Sequence, residues 1–424
     1  MDLPPGPRLP AAAQTLLLLS QPTSFLDSCA RKFGDVFTLR LSFGPPTVVV
    51  TGPADVQRLW ALTAEEAHTG EENAVLEPLL GPQSVLMLDG AEHLRQRRLL
   101  SQFFHGERMR RHGPVIAAIT AEEVNRWPVE TAFAVLPRLR AITFEVILRV
   151  VFGLEAGSAQ LNRLRELLGR LLSLGSSWMV LPWLRRDLGP WSPWGRFVDA
   201  KRRVDQALIA EIRQRRAAGG GGDDALSTLL GTMTDGELRD ELMTLLIAGH
   251  ETTATALAWW FELVLRRPEL VELLRAEAAA GGRPRLLEAT IREALRLRPI
   301  FRFVSRRLQQ PLEIAGRTLP AGVSVSANVY LTQRRHDTYP DPDAFRPERF
   351  LDGGPEAGAW IPFGGGIRRC LGASFATYEM GVVIRTVLAG PRLRPASPTP
   401  EPISLHAVTL VPRHGARVIR TAQH

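Results

Sequence analysis

Apolar residues recur three and four positions apart through most of residues 54–300, and this helical periodicity limits the fold more than any other feature of the chain. It predicts helices at Pro114–Trp127, Leu136–Phe152, Gln160–Leu174, Phe197–Ala217 and Glu237–Arg266. Strand patterns are short and lie toward the two ends of the chain. They are Val36–Leu41 and Thr47–Val50, which predict a hairpin, then Leu312–Ile314, Arg317–Leu319 and Val323–Val325, and a last pair formed by Val408–Val411 and Arg417–Ile419. We therefore expect a mainly α fold with small β-sheets.

The breaks in the pattern do not divide the chain into two domains. Gly219–Gly222 is typical of a flexible linker or loop, but no self-sufficient hydrophobic half lies on either side of it. The chain has 424 residues, of which 45% are hydrophobic, so it can bury a large core. We expect one domain over residues 1–424, with a β-richer part at about 34–52 and a helical body at about 54–300. Its two cysteines, Cys29 and Cys370, exclude a disulfide framework.

The charge of the chain is positive but mixed. There are 52 Lys and Arg residues against 44 Asp and Glu, a formal net charge of +8. Because the acids are interspersed with the bases, we interpret most charges as solvated helix faces and expect no nucleic-acid partner. The apolar run Leu16–Leu19 is too short to span a bilayer, and Leu242–Leu265 contains charged residues. We expect a cytoplasmic monomer without a membrane anchor.

The chemistry-bearing signal lies in the C-terminal quarter. No P-loop, G-x-G-x-x-G, C-x-x-C or G-x-S-x-G pattern is present, and His250-Glu251 lacks the second histidine of a zinc-protease helix. In residues 363–372, however, three glycines precede Cys370, and an apolar helical run follows it. A cysteine in the first turn of a helix is favoured as a thiolate, and a thiolate beside a flat glycine loop suits a haem iron. The other interpretation is a buried, inert cysteine next to a turn.

This loop resembles the haem-binding loop of the cytochrome P450 monooxygenases. The matching pattern is Phe363-Gly364-x-Gly366-x-Arg368-x-Cys370-x-Gly372. Four further segments resemble the family in the same order along the chain: Asp89-Gly90-x-x-His93-x-x-x-Arg97, Ala248-Gly249-His250-Glu251-Thr252-Thr253, Glu293-x-x-Arg296 and Pro347-Glu348-Arg349-Phe350. The resemblance covers essentially the whole chain and implies the P450 fold, with the haem between the long central helix and the helix that follows the cysteine.

The resemblance also implies roles for single residues. Cys370 would be the metal ligand of haem b, with Phe363 packed near its sulfur. The other cofactor-binding residues would be His93, Arg97, Arg306, Arg368, Ala248, Gly364 and Gly372, of which the four basic ones meet the propionates. Arg307 is the neighbour that could replace Arg306 in this role. Glu293, Arg296 and Arg349 would form a buried, structural ion-pair group.

The predicted long helix carries a candidate proton-handling pair. Ala248 and Thr252 are four residues apart and share a face, and Glu251 lies next to Thr252. An acid and an alcohol beside an iron can deliver the protons that splitting of dioxygen consumes. The alternative is that Thr252 bonds back to a helix carbonyl and Glu251 forms an internal salt bridge. Gly249 would weaken the helix locally and let it open to oxygen, and His250 is interpreted as a core or surface histidine.

The implied activity is insertion of one oxygen atom of O2 into a lipophilic molecule, by hydroxylation or epoxidation of a terpenoid, steroid, fatty acid or macrolide. Predicted pocket residues are Val75, Leu86, Met87, Trp178, Leu245, Phe301, Phe303, Val304 and Thr409. Arg302 could fix a substrate carboxylate or point to solvent. Electrons would come from a ferredoxin or flavodoxin with an NAD(P)H-dependent reductase, docking near Arg110, Arg111, Arg349 and Arg369. A peroxide-driven peroxygenase and a non-catalytic haem sensor are the alternatives.

Overall fold

The computed structural model describes residues 3–104, 106–154, 157–174, 185–186, 188–189, 191–219, 221–222 and 224–422. Its helices are α1 (Ala11–Ser20), α2 (Ser24–Phe33), α3 (Pro53–Ala61), α4 (Gly70–Asn73), α5 (Glu77–Leu80), α6 (Gly90–Ser101), α7 (Gly106–Arg111), α8 (Gly113–Asn125), α9 (Val135–Phe152), α10 (Ala159–Leu174), α11 (Pro193–Ala217), α12 (Ala225–Leu229), α13 (Asp235–Val264), α14 (Pro268–Ala280), α15 (Arg285–Leu297), α16 (Val329–Thr332) and α17 (Ala373–Ala389). The five helices predicted from periodicity are confirmed, each with ends within four residues of the prediction.

The strands are β1 (Val36–Leu39), β2 (Thr47–Val50), β3 (Ala67–His68), β4 (Ala132–Ala134), β5 (Phe303–Leu308), β6 (Leu312–Ile314), β7 (Arg317–Leu319), β8 (Ser324–Asn328), β9 (Leu393–Pro395), β10 (Ile403–His406), β11 (Thr409–Pro412) and β12 (Arg417–Arg420). The largest sheet has the order β1-β2-β8-β5-β3. The predicted hairpin of β1 and β2 is confirmed. Strand β8 then pairs in parallel with β2 and antiparallel with β5, so the sheet joins the two ends of the chain.

The prediction of a last strand pair was wrong. Strand β11 pairs with β10, whereas β12 lies between β4 and β9. The turn after β11 contains Gly415, whose φ of 75° is open to glycine at no steric cost. This turn carries β12 away from β11, and the partners of β12 come from residues about 25 and 285 positions earlier, which alternation alone does not reveal.

The thirty-residue helix α13 is the centre of the helical body. It starts with a capping box in which the Thr234 and Glu237 side chains bond to each other's backbone N–H. Its interior residues are mostly buried in the main core, and it packs against α9 along much of its length. At the crossing, a Cβ on Gly249 would lie 2.8 Å from Cδ1 of Ile147 on α9. Gly249 therefore permits close helix packing, and α13 remains a continuous α-helix there.

Two smaller hydrophobic clusters complete the core. One lies under the large sheet and includes Val48, Val325 and Ile361, and the other joins α1 and α2 to the sheet and contains Cys29. Within the described ranges, no helix is both long and apolar enough to cross a membrane.

Candidate functional site

The glycine loop before α17 lies flat against helix α3. Gly364 and Gly366 have φ values of 64° and 62°, a region that L side chains rarely adopt. A Cβ on Gly366 would lie 2.2 Å from the carbonyl oxygen of Trp60, and one on Gly365 would lie 2.5 Å from its indole Cδ1. The backbone N–H of Cys370 donates to the Phe363 carbonyl at 2.9 Å and closes the loop. Glycine is thus required here by backbone angle and by contact with α3.

Cys370 stands at the end of this loop and is exposed. Burial raises the pKa of its thiol, while backbone N–H groups of Gly372 and Ala373 and the charges of Arg369 and Arg97 act in the opposite direction. Hydrogen-bond donors and cations aimed at a sulfur are what a thiolate ligand needs. The other cysteine, Cys29, is buried in the N-terminal cluster, and burial raises its pKa to about 11.

Four basic side chains predicted to meet the haem propionates form one group, which we call the basic cluster: His93 and Arg306, which are buried, and Arg97 and Arg368, which are half-buried. His93 is 1% exposed and Arg306 is 3% exposed. Burial, followed by the charges of Arg368 and Arg97, lowers the pKa of His93 to about 3. Burial and the Arg368 charge lower the pKa of Arg306 to about 9. The guanidinium groups therefore lie close enough to repel each other.

The basic cluster has more cationic charge and more donors than its protein partners use. Among the described residues, His93 Nδ1 and Arg368 Nε are buried without a hydrogen-bond partner. Arg306 donates only to carbonyls, at 2.9 Å to Ser305 and 3.3 Å to Gly365, and its guanidinium lies over the Trp60 ring. Buried cations without anions are costly. The residues present therefore fit a group that brings negative charge into this space, as the two propionates of haem do.

Arg306 and Arg307 lie on opposite faces of β5 and differ in their partners. Arg307 forms an ion pair with Glu72 at 2.7 Å and lies 3.8 Å from Glu71. Arg306 turns inward to the basic cluster and makes no ion pair within the described part of the chain. Of the two, only Arg306 has a positive charge without a carboxylate partner among the described residues, so only Arg306 can pair with an anionic group of a cofactor.

Helix α13 presents a stripe of accessible residues inside an otherwise buried segment. Ala248 is exposed and Leu245, Gly249 and Thr252 are half-buried, while residues 253–264 are buried. Leu245, Ala248 and Thr252 are spaced three and four apart and therefore share one face. An exposed alanine in the middle of a core helix marks an opening beside it.

The acid and the alcohol on α13 both have partners. Thr252 Oγ1 donates to the Ala248 carbonyl at 2.6 Å, and Glu251 pairs with Arg140 of α9 in a short contact. The alternative interpretation, in which Thr252 bonds back to a helix carbonyl and Glu251 forms an internal salt bridge, predicts these two contacts. His250 is buried, with its Nδ1 2.7 Å from the Leu246 carbonyl and its ring beside Phe144, as expected for a core histidine.

Glu293 and Arg296 form a fully buried pair on α15. The Arg296 guanidinium contacts both carboxylate oxygens, at 2.7 and 2.8 Å, and also donates to the carbonyls of Gln333 and Pro342. Glu293 in turn accepts from the Arg346 backbone N–H at 2.8 Å, and Arg349 Nε lies 3.5 Å away. Helix α15 is thereby joined to residues 333–349. Because Arg349 points inward, it does not contribute to an exposed docking face.

The predicted pocket residues have different surroundings. Val75, Leu86, Met87, Leu245, Phe303 and Val304 are half-buried, Phe301 is exposed and Thr409 is buried. Val304 lies beside the glycine loop, where a Cβ on Gly364 would be 3.5 Å from its Cγ1. Phe303, on the other face of β5, packs against the N-terminal cluster. Phe301 and Thr409 form an isolated β-bridge. Trp178 lies outside the described residues.

Neither interpretation of Arg302 was correct. Its side chain is buried and donates to the carbonyls of Leu18 and Pro22 at 2.7 and 3.3 Å. Arg302 therefore fastens the N-terminal helices to β5. Of the remaining predicted residues, Phe363 packs its ring against Trp360, and Gly372 is the N-cap of α17, where a Cβ would lie 4.0 Å from Cε1 of Phe104.

Sequence reasoning missed three residues that support the site. Trp60 backs the glycine loop, Arg140 holds Glu251, and Asp89 binds Arg368. Asp89 was noticed only as part of a motif. Trp60 and Arg140 give no local signal, since their partners lie about 305 and 111 positions away.

This arrangement defines a class of protein: a mainly helical chain in which a glycine loop presents one cysteine beside a buried cationic cluster. A family model described as Cytochrome P450 matches residues 4–418. A putative cytochrome P450 135B1 of Mycobacterium tuberculosis is 40% identical over 435 residues, covering 99% of this chain and 91% of that protein. A putative cytochrome P450 135A1 of the same organism is 37% identical, with coverages of 98% and 94%.

The fold leads to the same family. A solved structure described as retinoic acid-bound cyanobacterial CYP120A1 superposes with a TM-score of 0.87 at 25% identity, over 99% of both chains. The chain belongs to the cytochrome P450 family. It is a haem-thiolate monooxygenase, whose cofactor is haem with an axial cysteine thiolate and whose reaction needs O2 and a redox partner.

Proposed function

We propose that this enzyme inserts one atom of O2 into a lipophilic small molecule, with Cys370 as the iron ligand and the basic cluster as the seat of the haem propionates. The observation that carries the proposal is the accessible thiol of Cys370 beside a cluster of arginines whose positive charge exceeds that of Asp89, their one carboxylate partner among the described residues. The haem, held by a thiolate, supplies oxygen activation, because the sulfur pushes electron density onto the iron. Everything else falls to the residues of the chain, which hold the cofactor, shape the pocket and move protons.

We infer that Thr252 and Glu251 handle protons on the pocket side of α13. The Thr252 hydroxyl is accessible on the same face as Ala248 and can exchange its bond to the Ala248 carbonyl for one to a water. Glu251, the neighbour of Thr252 in the chain, is half-buried, and its ion pair with Arg140 fixes the position of its carboxylate. If Arg140 moved toward solvent, the Glu251 carboxylate could take up a proton there and pass it to the pocket side of α13. Arg140 is therefore a positioning residue.

A lipophilic substrate is supported by the residues around the opening. Leu86, Met87, Leu245 and Val304 are apolar and incompletely buried, and a cavity lined in this way favours apolar ligands. The cyanobacterial neighbour is described as bound to retinoic acid, a largely apolar molecule. Within this class we propose a terpenoid, steroid, fatty acid or macrolide, hydroxylated or epoxidised.

The electron donor is proposed to be a ferredoxin or flavodoxin, reduced by an NAD(P)H-dependent reductase. Arg98, Arg110, Arg111 and Arg369 are exposed near the cysteine side of the molecule. Arg97 donates to the Arg369 carbonyl, and Tyr378 of α17 donates to the Arg110 carbonyl, so these exposed bases surround the start of α17. A basic face of this kind steers an acidic partner. We propose that the enzyme acts as a cytoplasmic monomer without a nucleic-acid partner.

Isotope-labelled oxygen tests the proposal directly. The haem-loaded enzyme is supplied with an NADPH-driven ferredoxin system and with lipophilic compounds that perturb its absorption spectrum. Labelled O2 should place one labelled atom in the product. A product that forms only with added peroxide, and carries no label from O2, would indicate a peroxygenase and overturn the proposal.

A further inference from the structure

Asp89 is fixed between the pocket-side loop and the basic cluster. Its Oδ1 accepts the backbone N–H groups of Thr69 at 2.7 Å and Gly70 at 3.0 Å, and also a short contact from Arg368 Nη2. A Cβ on Gly70 would lie 2.7 Å from Asp89 Oδ2, so only glycine admits the carboxylate this closely. A carboxylate bound by two backbone donors and a guanidinium has little freedom to move.

Asp89 is also the carboxylate that interacts with the basic cluster. It forms an ion pair with Arg368, and in the described part of the chain neither Arg97 nor Arg306 has a carboxylate partner. Arg97, Arg306 and Arg368 bring three positive charges, while burial and the arginines keep His93 neutral at physiological pH. Asp89 cancels one charge, and two remain. Haem carries two propionates.

We propose that Asp89 is a positioning and charge-matching residue for the haem: it orients Arg368 and trims the cationic cluster to the two charges that the propionates neutralise. This inference rests on the proposed assignment of the basic cluster to the haem propionates. Without Asp89, one cation would be left over beside the haem. An extra positive charge stabilises the more electron-rich ferrous state, so the reduction potential should rise.

The reduction potential of the haem-loaded, substrate-free protein is the readout, measured by spectroelectrochemistry at pH 7.5. Asp89→Asn keeps the size of the side chain and removes the charge, and its potential should shift to a more positive value. Arg306→Gln removes a cation from the same cluster and should shift the potential to a more negative value. The double variant restores the charge count and should return near the wild-type potential.

Glu71→Gln is the matched control. Glu71 is an exposed carboxylate 2.9 Å from His68 on the same side of the molecule, and it contacts Arg307 rather than the basic cluster. Its loss should leave the potential unchanged. If Glu71→Gln shifts the potential as much as Asp89→Asn does, or if Asp89→Asn with full haem content shows the wild-type potential, the inference is overturned.

Haem retention provides a second test if Asp89→Asn binds its cofactor weakly. Transfer of haem to apomyoglobin then measures the release rate of each variant. The charge-matching role requires slower release from the double variant than from Asp89→Asn alone, and equal or faster release from the double variant contradicts it. Failure of the proposed function would look different, because the wild-type protein itself would then lack a thiolate-type spectrum.

Discussion

At the scale of single residues, the glycine loop makes the strictest demands. Gly366 needs a positive φ and has the Trp60 carbonyl 2.2 Å from the place where a Cβ would be. Backbone atoms cannot swing aside as the end of a long side chain can. We therefore expect Gly366→Ala to displace the loop and Cys370 with it, so that purified variant contains less than about half of the wild-type haem. The haem-to-protein absorbance ratio measures this.

Gly381→Ala is the control for this prediction. Gly381 lies in α17 with no atom near its Cβ position, and alanine favours a helix by up to about 1 kcal/mol over glycine. Haem content should be retained and thermal stability should rise slightly. Full haem content in Gly366→Ala would show that the loop tolerates a side chain against Trp60.

Single residues with a strong local pattern could be predicted from the sequence, whereas their supports could not. The glycine spacing in the sequence indicates Cys370 as a candidate ligand, and its thiol is accessible in the structure. The choice of Arg306 over Arg307 had no local basis, and it is the ion pair of Arg307 with Glu72 that separates them. The ligand role of Cys370 remains a prediction.

At the scale of elements, a polar clasp joins α13 to the loop before α6. Gln83 N–H donates to Asp240 at 2.9 Å, Val85 N–H donates to Glu241 at 2.6 Å, and the Ser84 and Thr244 hydroxyls bond at 2.6 Å. Glu241 is fully buried, and burial raises the pKa of its carboxyl to about 8. In the folded protein the Glu241 carboxyl is therefore neutral below about pH 8.

The clasp predicts how stability depends on pH. Because the folded-state pKa of Glu241 lies above the ordinary value of about 4.5, its stabilising contribution is complete below that value and is lost as the pH rises toward 8. The thermal midpoint of the wild type should fall relative to that of Glu241→Gln between pH 5 and pH 8. The exposed Glu166→Gln should show no such trend. A constant difference between wild type and Glu241→Gln across this range would refute the assignment.

The buried ion pair of α15 reaches the segment before the glycine loop through Gln333, whose backbone carbonyl accepts from Arg296 and whose side-chain oxygen accepts from the Ile361 N–H. Glu293→Ala leaves the Arg296 guanidinium buried without its carboxylate, at a cost of about 3–5 kcal/mol. It also removes the acceptor for the Arg346 backbone N–H. We expect the variant to incorporate no haem, whereas Glu288→Ala, at a half-buried position of the same helix, should load normally. Purified Glu293→Ala with full haem content would disprove this.

At the scale of the whole molecule, we expect the basic face around the start of α17 to control the rate of electron delivery. Charge reversal in Arg110→Glu should lower the second-order rate of reduction by an acidic ferredoxin by about tenfold at low salt, and should flatten its dependence on ionic strength. Arg8→Glu, exposed on the N-terminal segment, changes the net charge equally and should have little effect. Equal effects of both changes would mean that overall charge, not this face, governs docking.

Local sequence patterns predicted one part of the overall architecture, and the other part depends on contacts between distant segments. Periodicity predicted the helical body and the mainly α fold. It did not predict that β8 would pair in parallel with β2, or that β12 would leave β11 for β4 and β9. The pairings of β8 with β2 and of β12 with β4 join segments more than 270 residues apart, and only tertiary packing decides them.

The absorption spectrum of the reduced, carbon monoxide-bound protein tests the central claim most directly. The wild type and Cys29→Ser should both show a Soret band displaced to the long-wavelength position of thiolate-ligated haem, and Cys370→Ser should lose it. A wild-type spectrum without this displacement, or a Cys370→Ser variant that keeps it, would contradict the account of Cys370 as the iron ligand.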